Sequence, residues 1–175
     1  MTVPSAAVLS EFETLVETHS REIFAYLWRL VQDNADAEDC LQDTFLRAYQ
    51  AFPKLENHDN LRAWLYKIAS NVAMTHLKKR KRQQARTTEL SRQIPLNGSP
   101  VQAQAEAKIS LEQVRCAIEE LPEKQQAALM MHKFQGLNYS EIAAALDIKE
   151  DAARANVYQA MKKLRAQFSE QEEEL

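Results

Sequence analysis

A chain of 175 residues with 22 Lys and Arg against 25 Asp and Glu can bury one core or two small ones, and its net charge of −3 is not that of a simple basic DNA-binding domain. No apolar run approaches the roughly 20 residues a membrane helix needs. The start M-T-V-P-S-A-A-V-L-S-E-F has no basic stretch leading into a long apolar segment, so neither membrane insertion nor secretion is expected, and the location is expected to be cytoplasmic.

Gly98 and Gly136 are the only glycines, while Ala, Leu, Glu, Gln, Lys and Arg are abundant, which predicts an all-α protein. A first helix should begin near Ser10, with Glu13 completing a capping box. Phe12, Leu15, Val16, Ile23, Leu27, Leu30 and Val31 form its apolar side, and Asp33-Asn34 should end it. A second helix should run from Asp36 to about Phe52, where Pro53 stops it. It buries Ala37, Cys40, Leu41, Thr44, Phe45 and Ala48 and leaves Asp36, Glu38, Asp39, Gln42, Asp43 and Arg47 exposed. Between Pro53 and Asn60 a polar loop carries Leu55 as its one large apolar side chain.

The next stretch, Asn60 to Arg86, contains eight basic residues and no acidic one. Leu61, Trp64, Leu65, Ile68 and Val72 recur at helical spacing and predict a buried face. The opposite face presents Arg62, Tyr66, Lys67, Ser70, Asn71, Met74 and Lys78, a cationic, hydrogen-bonding surface suited to a phosphate backbone. From Gln83 to about Ser110 periodicity dissolves around Pro95, Gly98, Ser99 and Pro100, which predicts a flexible linker between two domains.

The second domain starts near Leu111, with Leu111, Val114, Ile118 and Leu121 on one face. Pro122 should be the first residue of the following helix and Gly136 its left-handed C-cap. Ser140 is expected to cap E-I-A-A-A-L. A last helix should run from about Glu150 to Phe168, followed by a solvated acidic tail. Ser140–Leu146 and the helix after it have helix-turn-helix spacing, with Ile142, Leu146, Ile148, Ala153 and Val157 as shared core and Ala143 and Ala144 permitting close approach. Arg154, Ala155, Asn156, Gln159, Lys162 and Lys163 fall on the exposed side, where Arg, Asn and Gln can pair with base edges and Lys with phosphates. Cys40 and Cys116 lack a CxxC partner and both fit reduced core positions. His19, His58, His76 and His132 lack ligand spacing, and there is no phosphate loop or paired nucleophile and base. Metal, cofactor and catalysis are therefore not expected.

Three segments together resemble the extracytoplasmic-function (ECF) class of bacterial RNA polymerase sigma factors, in its minimal form with only regions 2 and 4. They are D-A-E-D-C-L-Q-D-T-F-L-R-A-Y at Asp36–Tyr49, N-L-R-A-W-L-Y-K-I-A-S-N-V-A at Asn60–Ala73, and L-P-E-K-Q-Q-A-A-L through Y-S-E-I-A-A-A-L-D-I to Lys163. The resemblance implies region 2 over 1–82, a linker over 83–110 and region 4 over 111–175. It implies no enzyme but a factor that docks on core RNA polymerase, at the β′ clamp helices and the β flap, and directs it to promoter DNA, with an anti-sigma factor as a further partner. Asp36, Glu38, Asp39, Gln42 and Asp43 would face the polymerase. Leu55, Asn60, Arg62, Tyr66, Lys67, Ile68, Ala69, Asn71, Lys78, Lys79 and Arg80 would serve the −10 element. Within that set, Leu55, Ile68, Ala69 and Asn71 would line a pocket for a flipped base, and Trp64 would belong to the core rather than act as a wedge. Ser140, Arg154, Asn156, Gln159, Lys162 and Lys163 would serve the −35 element. Asp147 stands where the family usually has glycine in the helix-turn-helix turn, and Asn156 where it commonly has a basic residue, so the promoter sequence is not implied. A helix-turn-helix regulator that never joins polymerase is the alternative, but it leaves the acidic second helix and the basic third without a role.

Overall fold

The computed structural model describes residues 6–91 and 111–173, and within them every regular element is helical. The expected linker residues 92–110 lie outside the described residues. In chain order the helices are α1 (Ala6–Val31), α2 (Asn34–Ala51), a 3-10 turn (Phe52–Lys54), α3 (Leu61–Ser91), α4 (Leu111–Glu119), α5 (Glu123–Lys133), α6 (Tyr139–Leu146) and α7 (Glu150–Glu173).

The first three helices pack on one another because each carries an apolar stripe. Leu15, Ile23, Leu27 and Val31 of α1 meet Ala37, Cys40 and Ala48 of α2 and Leu65, Val72 and Ala73 of α3, all buried. Full burial of each large side chain contributes about 1.5–3 kcal/mol. The buried hydroxyls of this core are paired. Tyr26 and Tyr66 meet edge to face with centroids 5.1 Å apart, the Tyr26 hydroxyl lies 2.8 Å from Ser70 Oγ, and Thr44 Oγ1 donates to the Cys40 carbonyl. Burial raises the Tyr26 hydroxyl pKa well above the ordinary tyrosine range, which keeps it neutral there.

Boundaries differ from the sequence expectations for local reasons. Ser10 lies inside α1, which starts at Ala6, so its capping box does not form. Asp33 does not close α1. Gln32 takes a left-handed φ of 59° and turns the chain, and Asp33 then caps α2 by accepting from the Asp36 amide at 2.9 Å. Helix α3 continues through 83–91, where a linker was expected, because no proline intervenes before Pro95 and Gln, Ala, Arg and Glu sustain a helix. Helix α7 likewise runs past Phe168 into the acidic tail.

In the second half, Pro122 is the N-cap of α5 rather than its first residue. Gly136 adopts the left-handed φ of 68° expected of it. The capping residue of α6 is Asn138, not Ser140. Its side chain accepts from the Glu141 amide at 2.9 Å while Glu141 accepts from the Asn138 amide at 2.8 Å, a reciprocal pair that leaves Ser140 exposed in the first turn. Asp147 makes the helix-turn-helix turn at φ 54°. Ile142, Leu146, Ala153 and Val157 are buried and Ile148 packs against them, as the spacing predicts, whereas Ala144 is exposed.

The two halves touch. Helix α6 packs on α3 and α5 on α1, and the buried apolar residues of both halves form one continuous cluster.

Candidate nucleic-acid interface

The basic face of α3 is organised by one carboxylate that its own sequence does not contain. Glu22 of α1 accepts from Arg62 Nε at 3.1 Å and Nη2 at 2.7 Å, and from the Tyr66 hydroxyl at 3.1 Å. His19 also meets it. Partial burial pushes the Glu22 pKa up, but the bonds from Arg62, His19 and Tyr66 together hold it below the usual carboxylate range. Its hydrogen bond also raises the Arg62 pKa.

This arrangement corrects the exposed face expected for α3. Tyr66 and Ser70 are buried, not exposed, because Tyr26 and Glu22 offer partners for both hydroxyl-bearing side chains on the core side. Ala69 is buried as well and presents no surface. Asn60 accepts from the Ala63 amide at 3.0 Å and so caps the start of α3. Arg80 is turned inward, donating to the Val31 carbonyl at 2.7 Å at the C-terminal end of α1.

What remains is narrower and better defined. Lys67, Ile68 and Asn71 come together with Trp64 and with Arg47 and Ala51 of α2 around an open cleft of about 310 Å³. Trp64 is half-buried, tilted against Phe52 at 6.2 Å. Leu55 is half-buried in the loop and does not line the cleft. Lys78 and Lys79 stay exposed further along α3. A flat ring beside an amide and two cations can hold a base by stacking and edge hydrogen bonds while the cations meet its phosphates.

On α2 the acids divide. Glu38, Asp39 and Gln42 are exposed, with Asn34 donating to Glu38 at 2.8 Å, and Asp43 pairs with Arg47 at 2.9 Å. Asp36 is half-buried at the seam with α3, where His76 Nε2 lies 3.0 Å and Arg80 3.5 Å from its carboxylate. Sequence periodicity missed Leu46 and Tyr49, which are 57 % and 40 % exposed. They extend the stripe of Asp39 and Gln42 at helical spacing, a pattern visible in the sequence once the buried face is known. Cys40, beneath this stripe, has its thiol pKa pushed up to about 11 by burial and by the nearby Asp36, Asp43 and Asp39. Cys116 departs from its expected core position and is exposed, and both cysteines are free thiols.

On α7, Arg154, Gln159, Lys162 and Lys163 are exposed as expected, whereas Asn156 is half-buried. Tyr158, at 63 % exposure, shares that surface and was not foreseen. Arg154 does not wave freely. Its guanidinium sits 4.7 Å over the Tyr139 ring, Tyr139 stacks on His132 with centroids 4.7 Å apart, and Glu150 receives an Nη2 contact at 3.3 Å. An arginine held planar over an aromatic ring keeps its outer edge available for bidentate bonds.

Both halves are thus recognisable as parts of a known assembly. Residues 15–83 match Sigma-70 region 2 and residues 111–164 match Sigma-70 region 4. The RNA polymerase sigma-H factor of Pseudomonas aeruginosa is 29% identical over 158 residues, which cover 85% of this chain and 81% of that protein. The ECF RNA polymerase sigma factor SigM of Bacillus subtilis is 25% identical over 157 residues, covering 90% and 94%. Among solved structures, the sigma factor RpoE in complex with the anti-sigma factor NepR from Bartonella quintana shares the fold, with a TM-score of 0.64 at 21% identity over 91% of this chain and 97% of that one. CnrH in complex with the cytosolic domain of CnrY shares it too, at a TM-score of 0.65 and 23% identity over 90% and 87%. Among the described residues no helix is long and apolar enough to cross a membrane, and no cluster of His, Cys, Asp and Glu could hold a metal ion. With a region 2 helical bundle followed by a region 4 helix-turn-helix, the chain belongs to the sigma-70 family, in its extracytoplasmic-function class.

Proposed function

We propose that the chain acts in the cytoplasm as a promoter-specificity factor with no chemistry of its own, dividing three contacts among three helices. The exposed face of α2, Glu38, Asp39 and Gln42 extended by Leu46 and Tyr49, docks on the β′ clamp helices of core RNA polymerase. The cleft at Lys67, Ile68 and Asn71 holds an unstacked base of the −10 element, and Lys78 and Lys79 follow the same strand. Helix α7 lies in the major groove of the −35 element, with Arg154 and Gln159 at base edges, Lys162 and Lys163 at phosphates, and Ser140 at the entry of α6. The division into a first domain ending at Arg82, a linker over 83–110 and a second domain over 111–175 belongs to this reading, as do contact with the β flap and control by an anti-sigma factor.

The observation that carries it is the cleft. It joins an aromatic ring, an amide and two cations, Lys67 of α3 and Arg47 of α2, within the half that matches region 2. Unstacking a base costs a few kcal/mol, which stacking on an aromatic ring, at about 1–3 kcal/mol per base, can offset. A duplex-binding regulator would gain nothing from such a site. Reconstitution with core polymerase, followed by run-off transcription from a randomised promoter library, tests the reading and yields the promoter sequence. In that assay Asn71→Ala is expected to lower open-complex formation while core polymerase binding is retained. Normal opening by this variant would remove Asn71 from the site.

A further inference from the structure

Arg154 of α7 ends a chain of three flat groups that starts on another helix. His132 stands in the last turn of α5, and its Nδ1 lies 3.1 Å from the Leu137 carbonyl oxygen. A carbonyl only accepts, so Nδ1 carries the proton. Leu137 is itself fixed. It is buried, and its amide donates to the Met131 carbonyl at 3.0 Å across the turn that Gly136 makes at φ 68°. One bond therefore ties the imidazole to the turn that leads into α6. Tyr139, the first residue of α6, stacks on that imidazole with ring centroids 4.7 Å apart and planes 23° from parallel. The Arg154 guanidinium carbon lies 4.7 Å from the Tyr139 centroid in turn. Its polar contact with Glu150, at 3.3 Å, joins two exposed side chains, and such a pair is weak. The ring contact is the stronger restraint on the guanidinium.

We propose that His132 is a positioning residue for promoter recognition: without touching DNA it fixes the Tyr139 ring, and through that ring the guanidinium that reads a −35 base. The proposal rests on the reading of α7 given above. The Asn138 and Glu141 capping box fixes the backbone at the start of α6, but not the orientation of the Tyr139 ring. The imidazole supplies that orientation. A free arginine gives up rotamer freedom when it docks, and one already laid on a ring gives up less. Its planar fork then discriminates in favour of the base edge that offers two acceptors, guanine O6 and N7. The effect is local to that base. Gln159, Lys162 and Lys163 are exposed on α7 and lie outside the stack, so their contacts survive removal of the imidazole.

Two measurements decide it, and the first needs no DNA. In the full chain carrying isotopically labelled arginine, the Arg154 Nε–Hε magnetic resonance signal is identified by its absence in Arg154→Lys. The Tyr139 ring is expected to shift that proton upfield. His132→Ala is expected to move the signal toward those of solvent-exposed arginines, and His132→Phe to recover most of the shift, because a flat ring there still meets Tyr139. A signal unmoved in His132→Ala, or moved equally in both variants, would overturn the proposal. The second measurement offers reconstituted holoenzyme a promoter library randomised across the −35 element and sequences the retained molecules. The wild-type protein is expected to enrich guanine at one position that Arg154→Ala loses. His132→Ala is expected to lower the enrichment at that position about three- to tenfold while sparing the others. Unchanged enrichment, or a loss spread evenly over all positions as a merely structural role would give, counts against the proposal. Wild-type holoenzyme that selects no −35 sequence would instead sink the reading of α7, and the arginine signal would still decide whether His132 places Arg154.

Discussion

At the scale of single residues, Glu22 stands out because one carboxylate orders Arg62, Tyr66 and His19 at once. Its pKa is depressed in the fold, so the stability it contributes is present above the ordinary glutamate pKa and lost as pH falls through the lower folded value. Glu22→Gln is expected to cost about 1–3 kcal/mol at neutral pH and to flatten the acid limb of the stability curve, measured by urea denaturation from neutral pH into the acid range. Nothing in the sequence marks Glu22, since its partner stands 40 residues away. Tyr139 presents a similar case in the second domain. Removing its ring in Tyr139→Ala is expected to weaken binding to a −35 duplex by about 0.5–1 kcal/mol, whereas Tyr139→Phe keeps the stack and the affinity. Loss of affinity in both variants would point to the hydroxyl rather than to the ring beneath Arg154.

At the scale of elements, α2 and α3 show what periodicity can and cannot reveal. The apolar stripe of α2 was legible, with Ala37, Cys40, Thr44 and Ala48 buried and Leu41 and Phe45 packed beside them, whereas Asp36 and Asp43, expected exposed, are half-buried. Helix α3 is engaged by α1, by α2 and by α6, so its amphipathic signal is smeared, and Tyr66 and Ser70 could be assigned to the wrong side. Caps were half legible: Asn138 and Glu141 form the box that Ser140 seemed better placed to start, since Asn138 and Ser140 are both good capping residues. The stripe on α2 makes a prediction of its own. Asp39→Arg and Leu46→Ala are each expected to weaken core polymerase pull-down while leaving the helical content of the free protein unchanged by circular dichroism. An interface built from acids alone would be insensitive to the leucine. Truncating a buried interface leucine without such a loss would restrict docking to the charged part of the face.

At the scale of the whole molecule, the order of two helical domains was readable from three motifs, but their mutual packing was not. The contacts between halves join residues such as Arg62 and Gln135 that are 73 positions apart and carry no local signature. Arg62 spans both levels, bonding Glu22 within its domain and Gln135 across the seam. Arg62→Lys keeps the charge but cannot bridge two partners in a fork. It is expected to expand the free protein, seen as a larger radius of gyration in X-ray scattering, with less loss of thermal stability than Arg62→Ala.

The two thiols have a practical consequence for following that seam in time. Cys40 is buried with its pKa pushed up to about 11, and only thiolate reacts readily with electrophiles, so at neutral pH it is a poor target. Cys116 is exposed and lines a hollow of about 380 Å³ bounded by Leu30, Leu77 and Arg80 of the first half and by Glu119, Glu120 and Gln126 of the second. The native chain therefore accepts a single dye at the junction of its two halves, without mutagenesis, and the emission of that dye becomes a clock for how often and how fast the junction parts.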